Sequence, residues 1–350
     1  MKKFLSEFLS GWIILVLAVV LVCVGLLPLE APEEPPADDD NVIIVNGDII
    51  RTEGLYASED ALWLIPQQLK KEAGELYLQY DVCRLDSSGE SQFVAQFPGR
   101  TSVVWNEGDG RVYFLSDENT LCSYDPATGN INSQPLSENY TRVSAAEGNY
   151  IFLAQKPNGV LTMVSPGQPK ETVLGIDGWI LGAYSGRLLS WSTDDILSCY
   201  DYLADELVWE ADLSAYFSSS PTLCVSGDTL YLSGGTLPEV YAVPRFTEQF
   251  EWQKFPIKRS AFVSAMTAAE DYIICAATAV THDKVSFFTL YPNGDIVDIA
   301  KWQKPSYYRS GSILMETFNQ QLYCIAKTEQ ELFSCDLLPA LDAGAPENSC

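Results

Sequence analysis

Residues that usually carry catalysis are scarce in this chain. A single histidine, His282, stands in the link Thr281-His282-Asp283-Lys284. A Ser-His-Asp relay would have to use it, and no Gly-x-Ser-x-Gly nucleophile turn accompanies it. An exposed loop histidine is the plainer reading. Phosphate loops of the form GxxxxGK[ST] and GxGxxG dinucleotide turns are also missing. No Cys-x-x-Cys pair or Cys/His spacing suits a structural zinc. Basic residues are few: 21 Lys and Arg stand against 47 Asp and Glu, giving a net charge of −26. Lys70-Lys71 and Lys258-Arg259 are only dipeptides, so there is no basic patch for a nucleic-acid partner. No catalytic residue, metal ligand set or cofactor site can be assigned. The acidity itself reads as solubility through self-repulsion, with calcium or a basic partner as the alternatives.

What is present is material for a large β-structure. The 350 residues exceed what one compact core usually serves, so two domains or a repeat are expected. Hydrophobic residues make up 47% and aromatic residues 12%, enough for an extensive core. Strand-like runs punctuated by Gly, Asn, Asp and Pro dominate beyond the N-terminus. Nine cysteines occur. Cys83, Cys122, Cys199, Cys224, Cys275, Cys324 and Cys335 fall within such runs, where buried free thiols are expected.

The N-terminus differs from the rest. Gly11–Leu29 carries no charge, and a helix of that length spans roughly 28 Å, close to the hydrocarbon thickness of a bilayer. It is longer than the apolar core of a typical cleaved signal. Lys2 and Lys3 precede it and acids follow it, which orients the remainder to the extracytoplasmic side. An uncleaved signal anchor in the cell membrane is expected, with a cleaved signal as the main alternative. A lipoprotein signal fits less well, because Val22 precedes Cys23 and apolar residues continue beyond it. Residues 1–10 then form a short cytoplasmic tail. Glu30–Asp40, EAPEEPPADDD, reads as a semi-rigid acidic spacer. Residues 339–350 read as a flexible tail.

Between residues 41 and 338 a unit repeats. Its clearest copy is Arg111–Ile131, RVYFLSDENTLCSYDPATGNI. Two short strands lead to a turn in which Asp125 can bond the backbone ahead and Pro126 pre-sets φ. Gly129 can then take the left-handed conformation of a hairpin bulge. The equivalents of Asp125 are Asp86, Ser165, Asp201, Pro244, Pro292 and Asp336, giving spacings of 39, 40, 36, 43, 48 and 44 residues. Periods of this length belong to four-stranded propeller blades. A strand precedes each turn: Ala61–Ile65, Arg111–Leu115, Tyr150–Ala154, Arg187–Trp191, Thr229–Ser233, Tyr272–Ala276 and Gln321–Ile325. The expected fold is all-β, a seven-bladed β-propeller behind an N-terminal transmembrane helix. The last repeat lacks an outer strand, and Asn41–Val45 is a spare apolar strand; together they predict one blade shared by both ends of the chain. Pro66–Gly74, PQQLKKEAG, reads as an insertion in the first blade, a solvated loop or a short helix.

Trp209 lies eight residues after Asp201, and Trp252 eight after Pro244. A turn followed at that distance by tryptophan resembles the quinoprotein-type (PQQ-like) repeat of propellers, within a broadly WD40-like architecture. The resemblance covers most of residues 49–338 and implies that such tryptophans dock between neighbouring blades. The adjacent cysteine pair associated with quinoprotein dehydrogenases is missing, as is the Ser-x-Asp-x-Gly-x-Thr-Trp turn that sialidases resemble.

Four aromatic residues are candidates for ligand contact: Trp105 and Trp179 in first strands, and Tyr307 and Tyr308 at a similar place in the seventh blade. They could stack on a sugar or grip a peptide, or simply fill the taper between blades. The function these features suggest is a non-catalytic, membrane-anchored scaffold that binds a protein or envelope component. The alternatives are a carbohydrate-active enzyme with a carboxylate pair at the channel mouth, and the sensory ectodomain of a membrane complex.

Overall fold

The computed structural model describes residues 42–44 and 49–337, apart from short segments at 59–60, 73–74, 86–90, 99–101, 118, 156–159, 169, 177, 235–237, 258–260, 270, 280–283, 304–312 and 327–330. Gly11–Leu29, the spacer Glu30–Asp40, His282, Tyr307, Tyr308 and residues 339–350 lie outside the described residues. Among the described residues no helix is long and apolar enough to cross a membrane.

The described strands form seven antiparallel sheets of four strands each, the blades of a propeller. The first strand in the chain, β1 (Val42–Ile44), belongs to the last blade. Blade 1 contains β2 (Ile49–Ala57), β3 (Leu62–Glu72), β4 (Glu75–Leu85) and β5 (Ser91–Pro98); blade 2 contains β6 (Val104–Asn106), β7 (Arg111–Asp117), β8 (Thr120–Asp125) and β9 (Asn130–Pro135). Blade 3 follows with β10 (Arg142–Glu147), β11 (Tyr150–Ala154), β12 (Leu161–Val164) and β13 (Glu171–Leu174). In blade 4 are β14 (Trp179–Tyr184), β15 (Arg187–Trp191), β16 (Ile196–Asp201) and β17 (Glu206–Asp212). Blade 5 has β18 (Thr222–Ser226), β19 (Thr229–Ser233), β20 (Glu239–Pro244) and β21 (Gln253–Pro256). Blade 6 has β22 (Ala261–Ala268), β23 (Ile273–Ala279), β24 (Lys284–Leu290) and β25 (Ile296–Gln303). Blade 7 is built from β26 (Ile313–Phe318), β27 (Gln321–Ala326), β28 (Glu331–Asp336) and, outermost, β1.

First strands pack against the first strands of neighbouring blades in every pair but blades 4 and 5, where β14 and β18 flank a shared cluster, and β26 meets β2, so they line the centre of a closed ring. Closure is made as the two chain ends predict: Val42, Ile43 and Ile44 pair with Phe333, Leu332 and Glu331. The seventh repeat therefore has no covalent turn after Asp336, since its outer strand comes from the other end of the chain.

The core is divided among the seams between blades. Tyr80 and Phe97 of blade 1 meet Phe114 and Tyr124 of blade 2, with the Phe97 and Phe114 rings stacked at 4.2 Å. Tyr113 and Leu121 of blade 2 meet Val143 and Ile151 of blade 3. Phe152 then meets Tyr200 and Tyr202, Trp209 meets Phe246, and Val240 meets Cys275 and Phe288 in the next three seams. Phe287 and Trp302 pack on Phe333, and Leu62, Leu64 and Leu85 on Tyr323, Ile325 and Leu332 to close the ring. Each fully buried large apolar side chain contributes roughly 1.5–3 kcal/mol, so the seams hold neighbouring blades together. Cys83, Cys122, Cys199, Cys224, Cys275, Cys324 and Cys335 are free and buried. Burial pushes the thiols of Cys199, Cys224 and Cys335 up to about 12.

The turn chemistry matches its sequence. Asp125 Oδ1 accepts from the backbone N–H of Ala127 and Thr128, Gly129 N–H donates to the Asp125 carbonyl, and Gly129 has φ +73°. Blade 4 repeats the arrangement with Asp201, Leu203 and Ala204, placing Asp205 at φ +59°.

Residues 66–72 correct the reading of Pro66–Gly74 as a loop or short helix. They continue β3, and β3 and β4 form a hairpin longer than any other. The ladder skips Ile65 and Pro66 and resumes at Gln67↔Tyr80 in the same register. Pro66 lies opposite Thr52, where β2 shifts register before Gly54, and a proline is tolerated beside such a bulge. The glutamines are paired rather than solvated: Gln67 Nε2 donates to Tyr80 OH at 2.8 Å, and Gln68 Nε2 to Asp81 Oδ2 at 2.8 Å.

Candidate functional site

A cavity of about 880 Å³ opens at the end of the ring that carries the turns between first and second strands. Blade 1 gives it Tyr56, blade 2 Trp105 and Glu107, blade 3 Glu147, and blade 4 Tyr184. The volume lies in the range of ordinary ligand pockets. In an antiparallel blade the turn after the first strand and the turn after the third lie at one end, and the second-to-third link lies at the other.

Two tyrosines are laid down by the same local device. Residues i and i+2 of a strand share a face, and both sequences read Gly-x-Tyr. A Cβ added to Gly54 would sit 2.0 Å from the ring of Tyr56, and one added to Gly182 would sit 2.3 Å from the ring of Tyr184. Each ring therefore folds back over its glycine, in a space that any other residue would fill. Tyr56 stacks on Trp105, with centroids 5.6 Å apart and planes 15° apart.

The carboxylates come from turns and strands that meet here. Glu107, in the turn after β6, is exposed and makes no hydrogen bond or ion pair among the described residues. Glu147, at the end of β10, accepts from Gly186 N–H at 3.0 Å and from Tyr202 OH at 3.0 Å, so it ties blade 3 to blade 4. Asn106 ties blade 2 to blade 3 by donating to the Gly148 carbonyl at 2.8 Å. Glu316, in β26 of blade 7, is pushed up to about 7 by burial and by the charge of Glu107, against a hydrogen bond from Thr317 N–H. Burial also raises the Tyr56 and Tyr184 phenols; the Glu53 and Glu316 charges add to the effect at Tyr56, and those of Glu107 and Glu147 at Tyr184. Among the described residues the cavity lining has no lysine, arginine or histidine. Among the described residues no group of three His, Cys, Asp or Glu could hold a metal ion.

Of the aromatic candidates from sequence, Trp105 is at the cavity, although most of its surface fills the seam between blades 1 and 2. Trp179 begins β14, whose other end carries Tyr184; it pairs with Trp191 and packs on the seam between blades 4 and 5. The structure thus separates Trp105 from Trp179. Tyr307 and Tyr308 lie outside the described residues. Tyr56, Glu107, Glu147, Tyr184 and Glu316 were not singled out by sequence. The available signal was the Gly-x-Tyr triplets at 54–56 and 182–184, a pattern shared with 148–150, and the Glu-Gly pairs at 107–108 and 147–148, shared with 53–54.

The repeat tryptophans serve the seams. Trp209 Nε1 of blade 4 donates to the Phe246 carbonyl of blade 5 at 2.6 Å. Trp252 stacks on Tyr241 within blade 5 at 4.7 Å and meets Tyr216 edge-on.

No family model matches the chain. No curated protein matches it either. Solved structures do. The β-propeller domain of Cps50 (Swd1) from Myceliophteria thermophila superposes with a TM-score of 0.57 at 11% identity, over 84% of this chain and 99% of that one. A chain of the mitotic checkpoint complex gives 0.60 at 13% identity, over 89% of this chain and 97% of that one. At such identities the likeness is one of fold, and the fold is a WD40-like seven-bladed β-propeller.

Proposed function

We propose that this chain is a non-catalytic binding scaffold that receives a protein or envelope component at the cavity end of the ring. One observation carries the reading: five blades, the fifth through Val225 and Gly227, contribute to an open cavity rimmed by their own turns, with Glu107 making no hydrogen bond or ion pair among the described residues. Such a rim presents side chains on a rigid support without a nucleophile–base pair among the described residues. One of the similar structures is a chain within an assembly, the mitotic checkpoint complex, which fits a binding role. Gly11–Leu29 would hold the scaffold at the extracytoplasmic face of the cell membrane, and the Trp209 and Trp252 spacing keeps a quinoprotein-type origin of the repeats in view.

The test is cross-linking and capture with the full chain in native membranes, run beside Glu107→Gln and Tyr184→Phe. A partner recovered by the parent and lost from both variants supports the scaffold. Capture that is unchanged by both variants, or absent from the parent, overturns it.

A second reading, glycoside hydrolysis, is favoured by one feature: Glu316 is pushed up to about 7, so that it can carry a proton near neutrality, and it lies within electrostatic reach of Glu107 and of Tyr56. Turnover on a panel of glycans that disappears in Glu316→Gln would establish it, and no turnover by the parent would remove it.

A further inference from the structure

We propose that the cavity takes a cationic side chain, an arginine or lysine carried on a basic segment of the partner protein. The inference rests on the scaffold reading and names the chemistry of what the scaffold binds.

Three independent features converge on a cation. The first is shape and surface. The Tyr56 and Tyr184 rings lie over Gly54 and Gly182, Trp105 stacks on Tyr56, and all three aromatic side chains belong to the lining of the open volume. A guanidinium or ammonium group is attracted to the face of such rings, most strongly where water is partly excluded. The second is uncompensated charge. Glu107 and Glu147 are on the lining, Glu316 is close enough for Glu107 to disfavour its ionisation, and among the described residues no lysine, arginine or histidine lines the cavity. An incoming cation relieves that repulsion, whereas an anion or a neutral sugar does not. The third is the Tyr184 hydroxyl. It is folded against Gly182, feels the charges of Glu107 and Glu147, and has no hydrogen-bond partner among the described residues. A phenol oxygen in that position can accept from an N–H donor.

The segments that adjoin the propeller do not supply such a side chain. Glu30–Asp40 and residues 338–350 contain no lysine or arginine. With a net charge of −26, the protein also steers basic partners toward itself over a distance set by the ionic strength. Steering alone has no address on the surface. The aromatic walls give it one.

The experiment titrates the full chain in detergent with an N-acetylated tetra-arginine amide. The tetra-citrulline analogue, of nearly the same shape without the charge, is the control. Tetra-arginine is expected to bind and tetra-citrulline not to. Glu107→Gln and Gly182→Ala are expected to weaken tetra-arginine by about tenfold or more, the loss of one desolvated cation contact. Glu210→Gln, an exposed acid on the outer strand β17, should leave it unchanged. Thermal melts establish that each variant is folded, and Tyr184→Phe, which removes only the hydroxyl, replaces Gly182→Ala if that chain does not fold. Equal weakening by Glu107→Gln and Glu210→Gln would show diffuse attraction to an acidic surface and overturn the proposal, as would no binding by the parent. If tetra-arginine fails while membrane capture still depends on Glu107, the scaffold reading stands and the cationic chemistry falls. If tetra-arginine binds and no partner is captured, the reverse holds.

Discussion

Glu316 shows how one residue couples the cavity to pH. It sits on the first strand of blade 7, with Glu107 of blade 2 and Tyr56 of blade 1 within electrostatic reach and the Thr317 N–H as its donor. Its folded value of about 7 stands above the usual 4.5. The folded chain therefore holds a proton that the unfolded chain releases, and stability falls as pH rises between those two values. Below that window both states are protonated and the penalty is absent. Glu316→Gln is accordingly expected to melt with the parent near pH 4 and at a higher temperature than the parent near pH 8, by roughly the few degrees that a kcal/mol shifts a domain of this kind. Identical melting curves at both pH values would mean that the carboxyl is not held in the environment described. None of this was legible in sequence, because 47 acids offer no way to choose one. Of the four aromatic residues that sequence did choose, Trp105 reaches the cavity, Trp179 starts a strand whose far end does, and Tyr307 and Tyr308 lie outside the described residues.

At the scale of the element, the repeat turn was readable and the long hairpin was not. Asp125 and Gly129 announce their roles because a turn needs a local acceptor and a left-handed residue, and those needs are met by residue type alone. Gly129→Ala, at φ +73° with open space around it, is expected to cost about 1 kcal/mol through backbone strain. Gly175→Ala should be neutral or slightly stabilising, since the nearest atom to an added Cβ is Tyr200 OH at 3.8 Å and its φ is not left-handed. Chemical denaturation of the two variants side by side checks the contrast; equal effects would remove the role given to the turn. The hairpin β3–β4 defeats the same logic because its signals point away from strand. Pro66 reads as a breaker and Gln67, Gln68, Lys70 and Lys71 as solvated. The partners that make them strand residues, a bulge in β2 and the Tyr80 and Asp81 side chains, are tertiary.

For the whole molecule, the number of blades and the clasp between the chain ends were both foreseeable, one from periodicity and the other from a strand left over at each count. The clasp is short: Val42–Ile44 on β28. A chain beginning at Asn46 is expected to keep its sheets but to melt several degrees below the parent, read by circular dichroism, because blade 7 then has three strands and an open edge. An unchanged melting temperature would make the clasp incidental. The same clasp has a consequence for how the protein is made. Ile44 pairs with Glu331, so the first of the described strands in chain order is completed by the last. Closing a loop of that length costs roughly 5 kcal/mol in chain entropy. At a translation rate of 5–20 residues per second, β1 waits roughly 15 to 60 seconds for its partner. Through that interval Leu62, Leu64 and Leu85 of blade 1 lack Tyr323, Ile325 and Leu332 to cover them. The nascent chain thus carries one sticky face from its first blade to its last, and whatever shields that face during synthesis decides how much of the protein closes into a ring.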